Sequence, residues 1–315
     1  MKSANSKTSF VFYNDRKVFK KLFDKNRIYN FFQEYFIVKY LNSIGLKSVP
    51  NILDLDKLNN ILFFEFIDPV ETCSKNRFAL FEESTKNNID YIKKSQAPLR
   101  LFAKEALEDT IQSYGKICNR VVSHQKNNIA NSKYVKHIKN ISIAVSNLEK
   151  YFLELVPSSN MVFSQADVGI HNSIVSKNNS IYLVDMEYAG LDSPIKLHID
   201  YLIHPRNVEF TYLSKHWTDY FYGNLISEKD LKNINIYNAF FALQWSLIVL
   251  NEFLPHNWNL RALSDPSRLT KRDKILENQI KKSEIYLKAS NQLYDKVRPQ
   301  SLFTESERIL LSKSY

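Results

Sequence analysis

The scarcity of glycine is the feature that most restricts the folds open to this chain. Only five glycines occur in 315 residues, at positions 45, 115, 169, 190 and 223. Nucleotide sites of the Rossmann and P-loop types need closely spaced glycines, because the backbone must approach the phosphates. The sequence contains neither G-x-G-x-x-G nor G-x-x-x-x-G-K-[ST]. Both of those nucleotide-binding folds are therefore excluded.

Cysteine usage and hydropathy predict a cytoplasmic protein. Cys73 and Cys118 have neither the spacing of a zinc site nor the number expected of a disulfide framework. The first six residues lack the apolar region of a secretory signal. The most apolar run, residues 239–250, is shorter than the roughly 20 residues of a membrane span. We therefore expect a reducing compartment and no membrane partner.

The charge balance favours an anionic ligand but does not identify one. The chain has 43 Lys and Arg against 33 Asp and Glu, a net charge of +10, with 44% apolar residues. This composition is that of a folded globular protein, and a basic, solvated surface explains the charge equally well. No RRM, KH or zinc-finger signature is present, so we expect no nucleic-acid partner. The sequence leaves the oligomeric state open.

The first 69 residues predict a small lobe of strands with one helix. Residues 9–13 and 17–23 are rich in β-branched and aromatic residues on either side of Asn14-Asp15, which is typical of a hairpin. Apolar residues at helical spacing over 28–44, followed by Gly45 as a cap, predict a helix. Runs 49–53 and 61–66 predict two more strands, and Asp68-Pro69 ends the lobe.

Helical patterns dominate beyond residue 70. Apolar periodicity predicts helices over 99–122, with Pro98 at the first helical position, and over 133–155 and 273–297. Two short apolar runs, 160–163 and 181–184, interrupt these helices and predict a small pair of strands. The sequence therefore predicts an α+β chain with a mainly helical large domain.

The most informative polar residues follow these two runs. Asp167 and Asn172 come after the first, and Asp185 ends the second, thirteen residues beyond Asn172. Carboxylate and amide oxygens are ligands that Mg²⁺ takes alongside substrate phosphates. An Asp and an Asn five residues apart are common by chance, but their combination with Asp185 is more specific.

Residues 163–200 resemble the aminoglycoside phosphotransferase and choline kinase family, relatives of protein kinases whose catalytic loop reads H-G-D-x-x-x-x-N. The resemblance implies that Asp167 accepts the proton of a substrate hydroxyl. It also implies that Asn172 and Asp185 hold Mg²⁺ against the phosphates of ATP, with GTP as a possible replacement. Asp200 resembles the later Asp that supports the loop in this family.

The resemblance extends to the predicted small lobe. Lys20 resembles the lysine of the V-x-I-K pattern, which pairs with the α- and β-phosphates, and Glu34 resembles its ion-pair partner. Strand alternation places Val18 and Lys20 on one face of the strand, so that Val18 would contact the base.

Two further segments are assigned to the nucleotide by the same resemblance. Residues 3–7 are implied to form the turn over the phosphates, with Asn5 and Ser6 contributing to it. Residues 65–67 are implied to form the hinge, where Glu65 and Ile67 offer backbone hydrogen bonds to the base.

The sequence also departs from the family pattern. Gln165 and Ala166 stand where the family has His and Gly, and the phosphate turn has no glycine. These departures leave open a catalytically inactive pseudokinase that serves as a nucleotide-binding scaffold. A polyanion-binding protein is a weaker alternative. His171 is interpreted as a hydrogen-bonded loop residue, and Glu187 as a possible additional metal contact.

Together these observations predict a two-lobed, protein-kinase-like α+β fold. Residues 1–69 form the nucleotide-binding lobe, and residues 70–315 form a mainly helical lobe with the catalytic loop at 163–172 and the metal-binding strand end at 181–187. The predicted activity is ATP- and Mg²⁺-dependent phosphorylation of a hydroxyl group. No A-P-E segment and no long insertion follow Asp185, which favours a small-molecule acceptor over a protein. An amino alcohol, a sugar and an aminoglycoside remain open.

Overall fold

The computed structural model describes residues 6–95, 98–127, 129–292 and 303–313, without the side chains of residues 263 and 264. The chain divides into two compact units. The first comprises the described parts of residues 1–104 together with 162–192, and the second those of residues 105–161 together with 193–315. The lobe boundary predicted at residue 69 marks the change from mainly strand patterns to mainly helical patterns in the sequence. It stays a prediction.

The first unit contains a four-stranded antiparallel sheet in the order β1-β2-β4-β3. Asn14 and Asp15, with φ of 49° and 59°, form the tight turn between the first two strands. Left-handed φ at both central residues suits a two-residue hairpin, and Asn and Asp tolerate it well. The predicted hairpin is therefore confirmed. The strands are β1 (Ser6–Tyr13), β2 (Arg16–Phe23), β3 (Ile52–Asp56) and β4 (Ile61–Glu65).

One helix, α1 (Ile28–Ser43), packs against this sheet. Phe31 of the helix contacts Phe23 of β2 edge-on, with ring centroids 5.7 Å apart. Gly45 follows the end of the helix, with a φ of 85° and an N–H that donates to the carbonyl of Asn42 at 3.0 Å. A left-handed residue just past a helix is usually glycine. The predicted helix and its cap are confirmed.

Both short strands predicted around the proposed catalytic loop are confirmed, over residues 162–164 and 181–183. Each of them pairs with a further short strand. β5 (Val162–Ser164) pairs with β8 (Gly190–Asp192), while β7 (Ile181–Leu183) forms a hairpin with β6 (Ser173–Val175). The pairing of β7 with β6 is local, because the turn at 176–180 returns β7 onto β6 within five residues.

The predicted helix over 99–122 is wrong in its first half. The helix begins only at Thr110, where the Asp109 side chain caps the backbone N–H of Gln112 at 2.6 Å. Residues 101–104 instead lie along β8. A Cβ on Gly190 would come within 2.4 Å of the Phe102 backbone, so glycine permits this close approach. A second helix of the first unit, α2 (Ser74–Lys94), had no counterpart in the prediction.

The second unit is helical, and its core forms around one apolar helix. Phe240 of that helix stacks on Phe152 with ring centroids 3.6 Å apart. None of the described helices is long and apolar enough to cross a membrane. The helices are α3 (Thr110–Gln125), α4 (Ser132–Leu153), α5 (Pro194–Ile203), α6 (Lys215–Asn224), α7 (Glu228–Lys232), α8 (Ile234–Val249, the apolar one), α9 (Pro255–Ser264), α10 (Arg272–Gln292) and α11 (Glu305–Ser312).

His198 of α5 is a buried histidine that destabilises this core. The side chain is fully buried against Phe221 and Tyr222, and neither ring nitrogen has a hydrogen-bond partner among the described residues. Burial lowers the pKa of His198 to about 3, so the folded protein holds the ring neutral. An unfolded chain protonates it near pH 6.5. Acid therefore favours unfolding at this position.

Replacing this ring should stabilise the protein. We expect His198→Leu to raise the free energy of unfolding at pH 7 by about 1–3 kcal/mol, because two unsatisfied polar atoms are removed. The gain should grow by about 2 kcal/mol between pH 7 and pH 5, since only the histidine chain takes up a proton on unfolding. Urea unfolding at both pH values measures the two effects. A variant with lower stability at both pH values would contradict this account.

Candidate active site

Lys21 of β2 is a buried lysine surrounded by carboxylates. Its ammonium lies 2.6 Å from Glu34 Oε2, 2.5 Å from Asp185 Oδ1 and 3.8 Å from Glu187 Oε2. The lysine side chain is 3% exposed, and those of Glu34 and Glu187 are as deeply buried. Strand β2, helix α1 and the segment after β7 each contribute to this group, all within the first unit. We call Lys21, Glu34, Asp185 and Glu187 the Lys21 cluster.

The Lys21 cluster carries more negative than positive charge. Arg27 adds a second cation 3.4 Å from Glu187, so two cations face three carboxylates. Burial opposes the charge on Lys21, but attraction by Asp185, Glu34 and Glu187 outweighs it and raises the pKa of Lys21 above its usual range. Burial raises the pKa of Glu34, against the opposing attraction of Lys21. A further cation beside Glu34 would favour its ionised form and lower that pKa.

Helix α1 is tied to the segment after β7 by polar side chains. Glu34 accepts a hydrogen bond from the backbone N–H of Met186 at 3.3 Å, in addition to its contact with Lys21. Gln33 donates to the carbonyls of Ala189 at 2.7 Å and Phe102 at 3.1 Å. Asn30 donates to the carbonyl of Glu187 at 3.4 Å. These bonds hold Glu34 and Asp185 in one arrangement.

The predicted pairing of Glu34 with Lys20 is wrong, because Lys21 forms it. Lys21 lies opposite Leu62, which is fully buried beside α1, whereas Lys20 lies opposite Phe63 and projects to the other face of the sheet. A shift of one residue along a strand reverses the face. The signal was present in the sequence, since the lysine of V-A-I-K comes three residues after the valine and Val18 therefore points to Lys21.

Gln165 joins the predicted catalytic loop to the strand that leads to Asp185. Its amide nitrogen donates to the carbonyls of Val184 at 2.5 Å and Asn172 at 3.3 Å. The backbone N–H of Val184 donates to the carbonyl of Asn172 at 3.0 Å. The backbones of Asn172 and of the residue before Asp185 are therefore neighbours, and the Asn172 side chain donates to the carbonyl of Asp167 at 3.0 Å.

Two residues of this region have left-handed backbone. Ala166 and Asp185 both have a φ of 65°. Asp adopts this conformation more readily than Ala, for which it costs about 1–2 kcal/mol. Ala166 stands where the family that this region resembles has glycine. The chain therefore adopts the left-handed conformation here despite the methyl group of alanine. The Ala166 N–H donates to Ser164 Oγ at 3.0 Å, which helps to fix the turn.

Asp167 is half-exposed and lies beside His171. The distance between His171 Nε2 and Asp167 Oδ2 is 3.6 Å, and more than a third of each side chain is open to solvent. Asp167 is thus accessible to a substrate, unlike the buried Glu34 and Glu187. Glu187 was expected only as a possible contact, but the structure makes it a full member of the Lys21 cluster.

The remaining predicted nucleotide residues lie at the ends of strands or outside the described residues. Asn5 lies outside the described residues. Ser6 is the buried first residue of β1, opposite Phe23. Glu65 ends β4 and bonds to Asn51, through its own N–H to the Asn51 carbonyl at 2.9 Å and through a carboxylate oxygen that accepts from the Asn51 N–H at 2.9 Å. Ile67 is half-buried just beyond β4.

The donor set suits a hard divalent cation. Glu34, Asp185 and Glu187 each place a carboxylate oxygen within 4.8 Å of the other two. The Asn172 side chain uses its nitrogen to donate to Asp167, which leaves its amide oxygen as an acceptor. Carboxylate and amide oxygens with an excess negative charge are the ligands that Mg²⁺ takes. The residues present therefore fit Mg²⁺.

Solved structures of small-molecule kinases have this fold. The choline kinase LicA from Streptococcus pneumoniae matches with a TM-score of 0.56 and 17% identity, over 89% of each chain. LicA in complex with AMP gives 0.59 and 17%, over 92% of this chain and 90% of that one. A spectinomycin phosphotransferase in complex with ADP and spectinomycin gives 0.56 and 16%, over 91% and 90%. No protein-family model and no curated protein matches the sequence.

At these identities the likeness establishes the fold. The predicted α+β, protein-kinase-like architecture is confirmed by it, together with the small antiparallel sheet and the mainly helical remainder.

The left-handed alanine supports a stability prediction. We expect Ala166→Gly to leave the protein equally stable or more stable by up to about 1 kcal/mol, because relief of the left-handed strain outweighs or offsets the added backbone entropy of glycine. Ala103→Gly is the control, since Ala103 has no left-handed φ; it is buried, whereas Ala166 is half-buried. It should lose about 1 kcal/mol. Urea unfolding compares them, and equal losses in both would contradict the strain argument.

Proposed function

We propose that this protein is an ATP- and Mg²⁺-dependent phosphotransferase that phosphorylates a hydroxyl group of a small molecule. The observation that carries the proposal is the Lys21 cluster, a buried lysine bound to carboxylates beside a loop that presents an accessible Asp167. Buried ion pairs of this kind contribute little to stability on balance, so their presence in a site favours a functional role. GTP is a possible alternative donor.

Lys21 is the residue that we assign to the nucleotide phosphates, in place of Lys20. Its charge is held in the ionised form by three carboxylates, and Glu34 and Asp185 fix the ammonium from two directions. A preorganised cation is effective because it need not reorient when charge develops on a phosphoryl group. Glu34 thereby acts as a positioning residue for Lys21.

Asp185 and Asn172 are the residues that we assign to Mg²⁺, with Glu187 as a further carboxylate. Mg²⁺ held there would neutralise charge on the phosphate oxygens and leave them open to attack. Gln165 holds the backbones of these two ligands close together, because its amide donates to the carbonyls of Asn172 and of Val184, the residue before Asp185. The replacement of the family's His by Gln165 therefore preserves a link between loop and strand, which favours an enzyme over a pseudokinase.

Asp167 is assigned as the base that accepts the proton of the acceptor hydroxyl. It is the carboxylate of the catalytic loop that is open to solvent, and the Asn172 side chain holds its backbone. The acceptor stays a small-molecule alcohol without further definition. The neighbours with this fold include a choline kinase and a spectinomycin phosphotransferase, which supports that class of acceptor for this chain.

Loss of the base should separate turnover from binding. We expect Asp167→Asn to lower the rate of ADP formation with an accepted alcohol by about 10²–10⁴-fold, because proton removal from the hydroxyl is lost. The Kd for Mg-ATP should stay unchanged, since Asp167 is assigned no phosphate or metal contact. A coupled ADP assay and calorimetry measure the two quantities. An unaltered, measurable rate would contradict the assignment of Asp167, and the absence of ADP formation by both proteins would support the scaffold alternative.

Neighbouring lysines provide a matched pair for the phosphate contact. Lys21→Met should lower kcat/KM by about 10²-fold or more, because a preorganised cation is removed from the phosphates. Lys20→Met should change it by no more than about a factor of 2, as is usual for a surface substitution of ~0.5 kcal/mol. Lys21→Arg, which keeps the charge, controls for folding. A larger loss in Lys20→Met than in Lys21→Met would overturn the corrected register.

A further inference from the structure

Arg27 binds the segment after β7 through two neighbouring side chains. Its guanidinium donates to Glu187 Oε1 at 3.4 Å and to the hydroxyl of Tyr188. The central carbon of the guanidinium also lies 5.7 Å from the centroid of the Tyr188 ring. Arg27 ends the short 3₁₀ helix at 25–27, directly before α1, and its side chain is 13% exposed. The whole contact lies inside the first unit.

The two cations of the site, Lys21 and Arg27, serve different carboxylates. The Lys21 ammonium lies 2.6 Å from Glu34 and 2.5 Å from Asp185. It is 3.8 Å from Glu187 Oε2, which is beyond hydrogen-bond distance, whereas Arg27 donates a hydrogen bond to Oε1. The Glu187 side chain is 1% exposed, so salt and water screen its charge little. Of the two cations, Arg27 is therefore the one that chiefly stabilises Glu187.

A metal ion at the Lys21 cluster would compete with Arg27 for Glu187. Carboxylate oxygens of Glu34, Asp185 and Glu187 lie within 4.8 Å of one another, so they could hold one ion. Arg27 lies at one oxygen of Glu187 and Lys21 lies nearest the other, so both oxygens already face a cation. A divalent ion that approaches either oxygen is repelled by the positive charge beside it. Arg27 thus lowers the attraction of this group for Mg²⁺.

Tyr188 holds Arg27 in place without neutralising it. The Lys104 ammonium lies 4.6 Å from the centroid of the Tyr188 ring, and the Lys104 N–H donates to the Tyr188 carbonyl at 2.9 Å. Burial raises the pKa of Tyr188 above its usual range, so the hydroxyl stays protonated at neutral pH. A neutral hydroxyl leaves the charge of the guanidinium uncompensated. That charge therefore acts on Glu187.

We infer that Arg27 is a positioning residue that weakens Mg²⁺ binding at the Lys21 cluster, because it competes with the metal for Glu187. The inference rests on the proposed function, which places Mg²⁺ at Asp185. Metal affinity rises with the number of charged ligands that a site offers. A site with three fully available carboxylates would retain the ion, whereas product release often limits turnover in enzymes. Arg27 then sets how readily the ion leaves with the product.

Titration of the full chain with Mn²⁺, followed by electron paramagnetic resonance without nucleotide, tests this inference. Mn²⁺ takes the same oxygen ligands as Mg²⁺. We expect Arg27→Gln to lower the Kd of Mn²⁺ by about 10-fold or more, because the charge is removed while a hydrogen-bond donor stays. Arg27→Lys keeps the charge and should stay close to wild type. Arg120→Gln is the matched control, since Arg120 binds Glu105 at 2.9 Å in the second unit, and it should change nothing.

A double-mutant comparison tests whether Arg27 acts through Glu187. Glu187→Gln alone should raise the Kd of Mn²⁺ by about 10-fold or more, because a charged ligand is lost. In the Glu187→Gln background, Arg27→Gln should change the Kd by about 2-fold or less, since effects that share one contact are not additive. Equal tightening in both backgrounds, or no effect of Glu187→Gln, would contradict the route through Glu187.

An unchanged or higher Kd in Arg27→Gln would overturn the inference, because Arg27 would then serve only to pack the segment after β7. Urea unfolding checks that each variant is folded, and Arg27→Met repeats the test with a second uncharged side chain. Failure of the proposed function has a different signature. Wild type would then bind no Mg-ATP in calorimetry, while the Mn²⁺ titration would still respond to Arg27. Absence of Mn²⁺ binding at millimolar concentration in both wild type and Arg27→Gln would overturn the metal site and this inference together.

Discussion

The buried charge of Lys21 is the constraint on which the first unit depends. An ammonium this deeply buried is costly unless carboxylates surround it, and the three that do so come from helix α1 and the segment after β7. The sheet, the helix and the strand end must therefore keep one arrangement. Gln33 and Asn30 secure it with bonds to backbone carbonyls, so the polar face of α1 is occupied by the site. The apolar face of the helix supplies the packing, through Phe31 on Phe23.

The same charge arrangement connects structure to chemistry. Lys21 and Arg27 are outnumbered by three carboxylates, whose oxygens are ligands suited to a divalent ion. Such an ion would bring phosphate oxygens towards Lys21. The catalytic loop is joined to this centre by backbone and by Gln165. A glutamine amide donates two hydrogens from one nitrogen, which is why it can bridge two carbonyls. Ala166 keeps the left-handed turn that precedes Asp167 at a cost in strain. The departures at Gln165 and Ala166 thus change side chains of the loop, while hydrogen bonds still join the loop to the strand before Asp185.

Much of the first unit could be predicted from the sequence because its signals are local. The Asn14-Asp15 turn and the cap at Gly45 specify their own backbone angles, and the structure contains both. Alternation alone does not decide between Lys20 and Lys21, since β2 has apolar residues on both faces. The V-A-I-K spacing from Val18 indicates Lys21, and the structure agrees, because Lys21 lies opposite Leu62 and binds Glu34. The helix expected at 99–122 failed for a similar reason, because residues 101–104 lie along β8, which is remote in sequence. The burial of Glu187 likewise depends on contacts with Lys21 and Arg27, which are distant in sequence and are not encoded by periodicity.

The thermal midpoint with and without Mg-ATP, in wild type and in Asp185→Ala, tests the central claim most directly. A ligand that binds only the folded chain raises the midpoint, by an amount that grows with its concentration over Kd. The account predicts a magnesium-dependent rise in wild type that is lost in Asp185→Ala and kept in Asp68→Ala, an exposed carboxylate paired with Lys177. No rise with ATP or GTP at millimolar concentration, or an equal magnesium-dependent rise in Asp185→Ala, would contradict a phosphotransferase centred on the Lys21 cluster.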